Sequence, residues 1–301
     1  MPINIATAFY DAMFGTTDSA HSMSEVEKTA LANVREILNS PKLLSKNIPP
    51  LPTVLMRLLE SLKDPGSDFF DIAEIIEQDP GLATEVLRVS NSCHIHRGEG
   101  EICSLRKAVS LLGVAGVSSI AATIMVEKIR PAKPIYYKMF GRQIWLHSLH
   151  CAYLCKLLAL KYDENEFDAY FLGLIHDIGK IIIFNCLCEA FRSEFPDGTP
   201  GSRIYKELMS EMSLDITSFI AREWQLPSVY CLALEQLRGK RESKLSQILY
   251  RANVISEAYI LLDKNLVTSH QVEELIKKLS FDQANWQQFL AAVPQLEASV
   301  D

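Results

Sequence analysis

The sequence predicts an all-α fold of about a dozen helices. Apolar residues recur at helical spacing along most of the chain, as in the face formed by Leu51, Leu55, Leu58 and Leu62. Runs of β-branched residues such as 181–183 are too few to build a sheet. The chain has 301 residues, of which 48% are hydrophobic and 22% charged, which is typical of a globular protein with a sizeable core.

The first two predicted helices are marked by proline and by capping residues. The proline-rich run 48–52 cannot lie inside a helix, so a helix begins at its end and stops at Asp64-Pro65-Gly66. Ser67 or Asp68 then caps a second helix, which Asp79-Pro80 terminates.

Three more helices are predicted before a break. They cover 81–90, a stretch that Ser104 caps and Gly113 ends, and 114–129. The segment 130–134 has two prolines, which indicates a break or a hinge.

The rest of the chain shows the same periodicity. Asp215 precedes an apolar stripe and is interpreted as a helix N-cap, and Pro227 is expected to start the next helix. Amphipathic helices are also predicted at both ends, over 24–38 and from Gln271 onward. The other predicted helical segments are 136–161 as one helix or two, 167–176, 184–195 and 245–263.

Charge and composition argue against nucleic-acid-binding, membrane-spanning and secreted proteins. Thirty Lys and Arg against 37 Asp and Glu give a net charge of −7, which disfavours nucleic-acid binding. No run approaches the ~18 consecutive apolar residues of a membrane span, and the first 17 residues do not resemble a secretory signal. Seven cysteines, mostly in apolar helical patterns, predict free thiols and a cytoplasmic location.

The strongest chemical signal is the His176-Asp177 pair inside the apolar segment 173–180. A carboxylate in such surroundings needs a partner, which could be a metal ion, the cation of Lys180 three residues on, or a histidine. The preceding long helix offers His147 and His150. Imidazole with carboxylate suits Zn, Fe, Mn or Ni, whereas the alternative is a buried network without metal.

A second group, Cys93, His94, His96 and Cys103, lacks the paired short spacings of a structural zinc site. It is therefore interpreted as having no metal.

The chain resembles the HDOD family, a bacterial signalling branch of the HD superfamily. The resemblance runs from about residue 48 to about residue 262, and its motifs are specific because they occur together and in order. They are the segments 48–52, 76–82, 86–92, 102–105, 108–113, 144–148 and 173–180.

The resemblance implies a site that lacks one charge. Catalytic HD proteins are metal-dependent phosphohydrolases that use a His, a His-Asp pair and a distant Asp as ligands. By motif, His147, His176 and Asp177 fill the first three places, and the nearest match to the fourth is Asn253, a neutral amide. Relatives that cleave cyclic di-GMP have further histidines, but no histidine lies between Lys180 and residue 261.

We therefore expect a stand-alone, non-catalytic HDOD module of the bacterial cytoplasm. The alternative is a metal-dependent phosphohydrolase acting on phosphoesters or nucleotides, with His176, Asp177 and Lys180 as candidate catalytic residues. No resident cofactor is predicted, the alternative being one divalent ion on His147, His176, Asp177 and Asn253.

The resemblance also implies the organisation of the domain, but it identifies no partner. An N-terminal helical subdomain is expected to pack on an HD-like helical core. The predicted partner is an unidentified signalling protein or a second copy of the chain, with no membrane or nucleic acid. The predicted segments are a helical extension (1–47), an N-terminal helical half (48–130), an HD-like helical half (131–263) and a C-terminal helical tail (264–301).

Overall fold

The computed structural model describes residues 5–14, 25–95, 101–129, 135–194 and 202–298. These residues form fifteen α-helices and one 3-10 turn, with no strand among them, which confirms the all-α prediction. In chain order the elements are α1 (Ile5–Phe14), α2 (Glu25–Asn39), α3 (Pro41–Asn47), α4 (Thr53–Ser61), α5 (Phe69–Glu77), α6 (Pro80–Ile95), α7 (Leu105–Glu127), α8 (Ile135–Tyr162), α9 (Glu166–Ile175), α10 (Ile178–Glu194), α11 (Ser202–Glu223), α12 (Ser228–Glu235), the 3-10 turn (Gln236–Arg238), α13 (Lys244–Asp263), α14 (Ser269–Lys278) and α15 (Gln283–Ala298).

The chain divides into two compact units. One is formed by residues 49–130, and the other by residues 1–48 together with 131–301. The first contains α4 to α7, and the second contains the other helices.

Local capping sets the helix ends in the 49–130 unit. Of the two predicted caps, Ser67 and Asp68, the structure has Asp68, which caps α5 in a reciprocal pair with Asp71. Asp79 both follows α5 and caps α6, since its Oδ1 accepts the backbone N–H of Leu82 at 3.0 Å. Pro80 is the first residue of α6, where it needs no hydrogen bond, so this helix extends beyond the predicted 81–90.

The break predicted at Gly113 lies inside α7. Ser104 caps this helix by accepting from the backbone N–H of Lys107, and Gly113 has φ 74° and ψ 165°. That backbone angle favours glycine and divides α7 into the two predicted helices.

The second unit differs from the sequence prediction in two helices. The interpretation of Asp215 as an N-cap is wrong, because it lies inside α11 and pairs with Arg238 at 2.9 Å. The buried residues Ile204, Leu208 and Ile220 lie along the same helix. Their packing stabilises α11 on both sides of Asp215, so the helix does not begin at this residue. Helix α10 also begins at Ile178, earlier than predicted.

Two helical stretches are long and apolar enough to cross a membrane by length and composition alone. They are Leu105–Glu127 and Glu166–Phe191, whose apolar 18-residue segments are 44% and 94% buried, respectively. The sequence prediction was based on uninterrupted apolar runs. These two stretches are apolar only on average, because each includes charged residues. The second stretch comprises α9, the turn at 176–177 and most of α10, and its burial is that of core helices.

Some predictions fall outside the described residues. These are the break over 130–134, the end of the helix predicted over 184–195, and the Cys93, His94 and His96 side chains.

Candidate functional site

Four helices bring the five candidate residues together. His147 lies in the middle of α8, and His176 and Asp177 form the turn between α9 and α10. Lys180 lies in the first turn of α10, and Asn253 lies in α13. All except the half-buried Asn253 are buried. We call these five residues the HD cluster.

Four polar atoms of the cluster that could ligate a metal face one point. The Nε2 atoms of His147 and His176 are 3.3 Å apart, and each lies 3.4 Å from Oδ2 of Asp177. The Oδ1 atom of Asn253 is 3.0 Å from the first Nε2 and 3.1 Å from the second. The two histidines and the aspartate each offer one ligand atom, within 4.8 Å of one another. The described residues therefore include a His/Asp group that could hold a metal ion.

The outer nitrogens of both histidines have hydrogen-bond partners. Nδ1 of His176 donates to the carbonyl oxygen of Gly173 at 2.7 Å, and Nδ1 of His147 lies 2.9 Å from Oγ of Ser256. Such bonds orient the ring and turn Nε2 inward, as they do for metal-binding histidines. The donor set and its orientation thus fit a divalent cation.

Cationic side chains of the protein neutralise the negative charge of Asp177. Nζ of Lys180 donates to Oδ2 of Asp177 at 2.7 Å. Burial alone would raise the pKa of Asp177, but His176 and Lys180 hold that pKa well below its usual value. Burial likewise lowers the pKa of His176, yet Asp177 and Cys151 together outweigh it and raise the pKa to about 9. The carboxylate thus lies between two protein cations.

A second carboxyl group, Glu257, lies behind Asn253. Nδ2 of Asn253 donates to Oε1 of Glu257 at 3.1 Å. Burial raises the pKa of Glu257 to about 7, against the lowering effect of Lys180. Sequence reasoning missed this residue, although Asn253, Ser256 and Glu257 share a helix face at i, i+3 and i+4.

Helix α1 covers the HD cluster. Phe9 is fully buried, and its ring centroid lies 4.9 Å from that of His147. Nζ of Lys180 lies 5.6 Å from the Phe9 ring centroid and 5.3 Å from that of Tyr10. Cation–π attraction therefore adds to the packing of this helix.

Two lysines from elsewhere in the chain bind residues in the second half of α1. Lys206 pairs with Asp11, and Nζ of Lys264 donates to the carbonyl oxygen of Ala12 at 2.8 Å. The sequence predicts a helical extension over 1–47 but assigns no individual helix to residues 5–14 and no contact with the cluster, so the covering of the cluster is a finding of the structure.

Two glycines let the surrounding helices approach the His-Asp turn. A Cβ on Gly173 would lie 2.7 Å from Cα of Ala152 in α8, and one on Gly179 would lie 2.6 Å from Oγ1 of Thr217 in α11. Thr217 donates to the carbonyl oxygen of His176 and accepts from the N–H of Gly179, each at 3.1 Å. Close backbone approach, possible only without a side chain, thus holds the turn in place.

His150 does not join the HD cluster, so the expectation that it supplies a ligand is wrong. It lies edge-on between the rings of Tyr259 and Phe289, at 5.3 and 5.5 Å. Neither ring nitrogen has a hydrogen-bond partner among the described residues. Burial lowers the pKa of His150 to about 4.

We expect His150 to make the protein sensitive to acid. Its pKa is lower folded than unfolded, so the unfolded chain binds more protons between about pH 6.5 and 4. Stability attributable to His150 is therefore present above this window and is lost as the pH falls through it, at no more than about 1.4 kcal/mol per pH unit. Chemical denaturation over this range should give a shallower loss for His150→Leu than for the wild type. The exposed His270, changed to Leu, is the control, and equal slopes for all three proteins would contradict the prediction.

Comparison with known proteins identifies a family match. The HDOD domain model matches residues 48–238, more than half of the chain. An uncharacterized protein of Treponema pallidum (strain Nichols) is 23% identical over 189 residues, which are 60% of this chain and 36% of that protein. The match thus spans about a third of that relative.

Solved structures show the same fold. A candidate phosphohydrolase from Shewanella amazonensis SB2B is 18% identical with a TM-score of 0.63, covering 88% of this chain and 100% of that one. An HDOD domain protein with unknown function from Geobacter sulfurreducens is 20% identical with a TM-score of 0.59, covering 91% and 98%. A candidate signal transduction protein from Marinobacter aquaeolei VT8 is 17% identical with a TM-score of 0.59, covering 91% and 65%.

Proposed function

Because the chain belongs to the HDOD family, we propose that it is a non-catalytic signal-transduction module of the bacterial cytoplasm. In this proposal it binds a signalling protein, a second copy of itself or a small ligand, and the HD cluster serves to fix four helices. The observation that carries the proposal is the ion pair between Lys180 and Asp177, buried beside a neutral Asn253.

The ion pair opposes metal binding by charge. A divalent cation would have to share the single carboxylate of Asp177 with an ammonium group 2.7 Å away. Hard divalent cations gain affinity with the number of ligand charges, and Asn253 contributes none. Like charges in a buried site also repel strongly, because water does not screen them. The cluster is therefore stable without a metal.

Closure of the site opposes turnover. A phosphoester would have to reach the two Nε2 atoms, but the Phe9 ring of α1 packs on His147. His147 is 0% exposed, His176 2% and Asp177 3%. A hydrolase needs an open polar cleft at this point, and α1 closes it.

Metal analysis tests the proposal. Protein purified without chelators is expected to carry Mn, Fe, Zn or Ni only below stoichiometric amounts. It should not hydrolyse p-nitrophenyl phosphate or bis(p-nitrophenyl) phosphate when Mn²⁺ is added. A stoichiometric metal and a turnover that both disappear in His176→Ala, but persist in the control His270→Ala, would overturn the proposal.

A metal-dependent phosphohydrolase is the second candidate function. It is favoured by the inward-facing Nε2 atoms of His147 and His176, which are oriented as in a metal site. His147, His176 and Asp177 would hold the ion. When bound, a divalent cation would lower the pKa of water and polarise a phosphoryl oxygen.

The substitution Asn253→Asp tests the missing charge directly. It places a carboxylate 3.0 Å from one Nε2 and 3.1 Å from the other, so we expect divalent metal affinity to rise about tenfold or more. Competition with a fluorescent chelator measures this affinity. Asn285→Asp in α15 is the control, since it adds the same charge on another helix. Equal affinities in the two variants would contradict the ligand position of Asn253.

A further inference from the structure

A second candidate site lies where the loop before α13, α13 itself and the end of α14 meet. The pocket there has a volume of about 220 Å³. It is lined by Arg241, Gln247, Tyr250, Arg251, Lys278 and Leu279. Half of these residues are cations and none is an acid, in a chain whose net charge is −7.

In the part of the chain that the structure describes, the three cations have no carboxylate partner. Among the described residues, neither Arg241, Arg251 nor Lys278 has an acidic group within 4.0 Å. Bringing like charges into one pocket costs free energy, which an anion can recover.

Another pocket of the same unit provides an internal comparison. It has a volume of about 250 Å³ and is lined by two arginines, Arg222 and Arg238, among others. Here Arg222 pairs with Glu235, and Arg238 pairs with Asp215 at 2.9 Å. Its arginines are balanced within the chain, whereas those of the first pocket are not.

Aromatic rings and two backbone carbonyls hold the two guanidinium groups, since Arg241 donates to the carbonyl oxygen of Leu237 at 3.5 Å. The guanidinium carbon of Arg241 lies 3.7 Å from the Tyr250 ring centroid. That of Arg251 lies 5.1 Å from the Tyr162 ring centroid, and its Nε donates to the carbonyl oxygen of Leu279 at 3.0 Å. Planar donors fixed in this way are suited to bidentate binding of phosphate oxygens.

The negative end of α14 does not balance these charges. Lys278 is the last residue of this helix, whose terminus carries the equivalent of about half a negative charge. That offsets at most half of one of the three cations. An excess of positive charge therefore remains in the pocket.

We propose that this pocket binds a small molecule bearing at least two phosphate charges, of the diphosphate or nucleoside diphosphate class. The two guanidinium groups and the Lys278 ammonium contact the phosphate oxygens. The site is separate from the HD cluster: Arg251 and Asn253 are two residues apart, so their side chains lie about 200° apart around α13. The proposal goes beyond the proposed function, because it holds whether or not the HD cluster binds metal.

Isothermal titration calorimetry with inorganic pyrophosphate, at low ionic strength and with EDTA, tests the site in the full chain. Saturable binding is expected, with affinity falling about tenfold or more in Arg241→Gln and in Lys278→Gln. Lys278 is exposed, so its replacement leaves the fold intact. Arg238→Gln is the matched control, since it removes one charge from the balanced pocket and should leave binding unchanged.

The outcomes separate this site from the alternatives. Unchanged pyrophosphate binding in His176→Ala supports a site outside the HD cluster. Absence of binding, equal loss in the Arg238→Gln control, or binding of an acidic peptide but not of pyrophosphate or GDP would each overturn the proposal. None of these results bears on the charge missing at Asn253.

Discussion

Replacing Asp177 by alanine is expected to lower the free energy of unfolding by about 3–5 kcal/mol. The substitution leaves the ammonium of Lys180 buried without the carboxylate that lies 2.7 Å away, and it removes the charge beside His176. Domains are stable by about 5–15 kcal/mol, so this loss is a large part of the total. Urea unfolding followed by circular dichroism measures it.

A double-mutant cycle shows whether the loss comes from the ion pair. Asp177→Ala combined with Lys180→Met should destabilise less than the sum of the two single changes, because no unpaired charge remains. The control is Glu85→Ala, which breaks an exposed pair of the same i, i+3 spacing at 2.9 Å. It should cost less than about 1 kcal/mol. Additive effects within the cycle would mean that the pair does not couple these residues.

Gly179→Ala is expected to destabilise the protein by about 3 kcal/mol or more. The new Cβ would lie 2.6 Å from Oγ1 and 2.8 Å from the backbone nitrogen of Thr217, and it would also meet the carbonyl oxygen of Ser213. The backbone of α11 can relieve this clash only by moving away from α10. The gain in helix propensity, about 1 kcal/mol, is smaller than this cost.

Gly239→Ala is the control for this prediction. No atom lies within 4 Å of the position of its Cβ, so its stability should change by less than about 0.5 kcal/mol. Thermal unfolding of both variants provides the comparison. Equal stability of the two would show that α10 and α11 do not approach as closely as described.

The sequence predicts the helix ends best where the signal is local. Asp68, Ser104 and Gly113 act through their own backbone and that of nearby residues, and each is found in its predicted role. Asp215 carries a similar local signal, but burial of apolar residues on both sides extends α11 through it. Tertiary packing thus overrides a cap where the two disagree.

In the candidate site, too, the sequence predicts the residues of local motifs but misses contacts between distant parts of the chain. The motif places His147, His176 and Asp177, and the i, i+3 spacing indicates the Lys180 contact. Glu257 was missed because no motif includes it. The Phe9 contact was missed because it joins residues 138 positions apart in sequence, and periodicity carries no information on such pairs.

Helix α1 and helix α13 lie outside residues 48–238, the span that the HDOD domain model matches. One provides the Phe9 ring over His147, and the other provides Asn253 and Ser256. A fragment limited to residues 48–238 would therefore lack the groups that cover and hydrogen-bond these two histidine side chains, and His147 and His176 would be exposed to solvent. Metal uptake or hydrolysis measured on such a fragment would report on the truncation, and assays of this protein need both flanks.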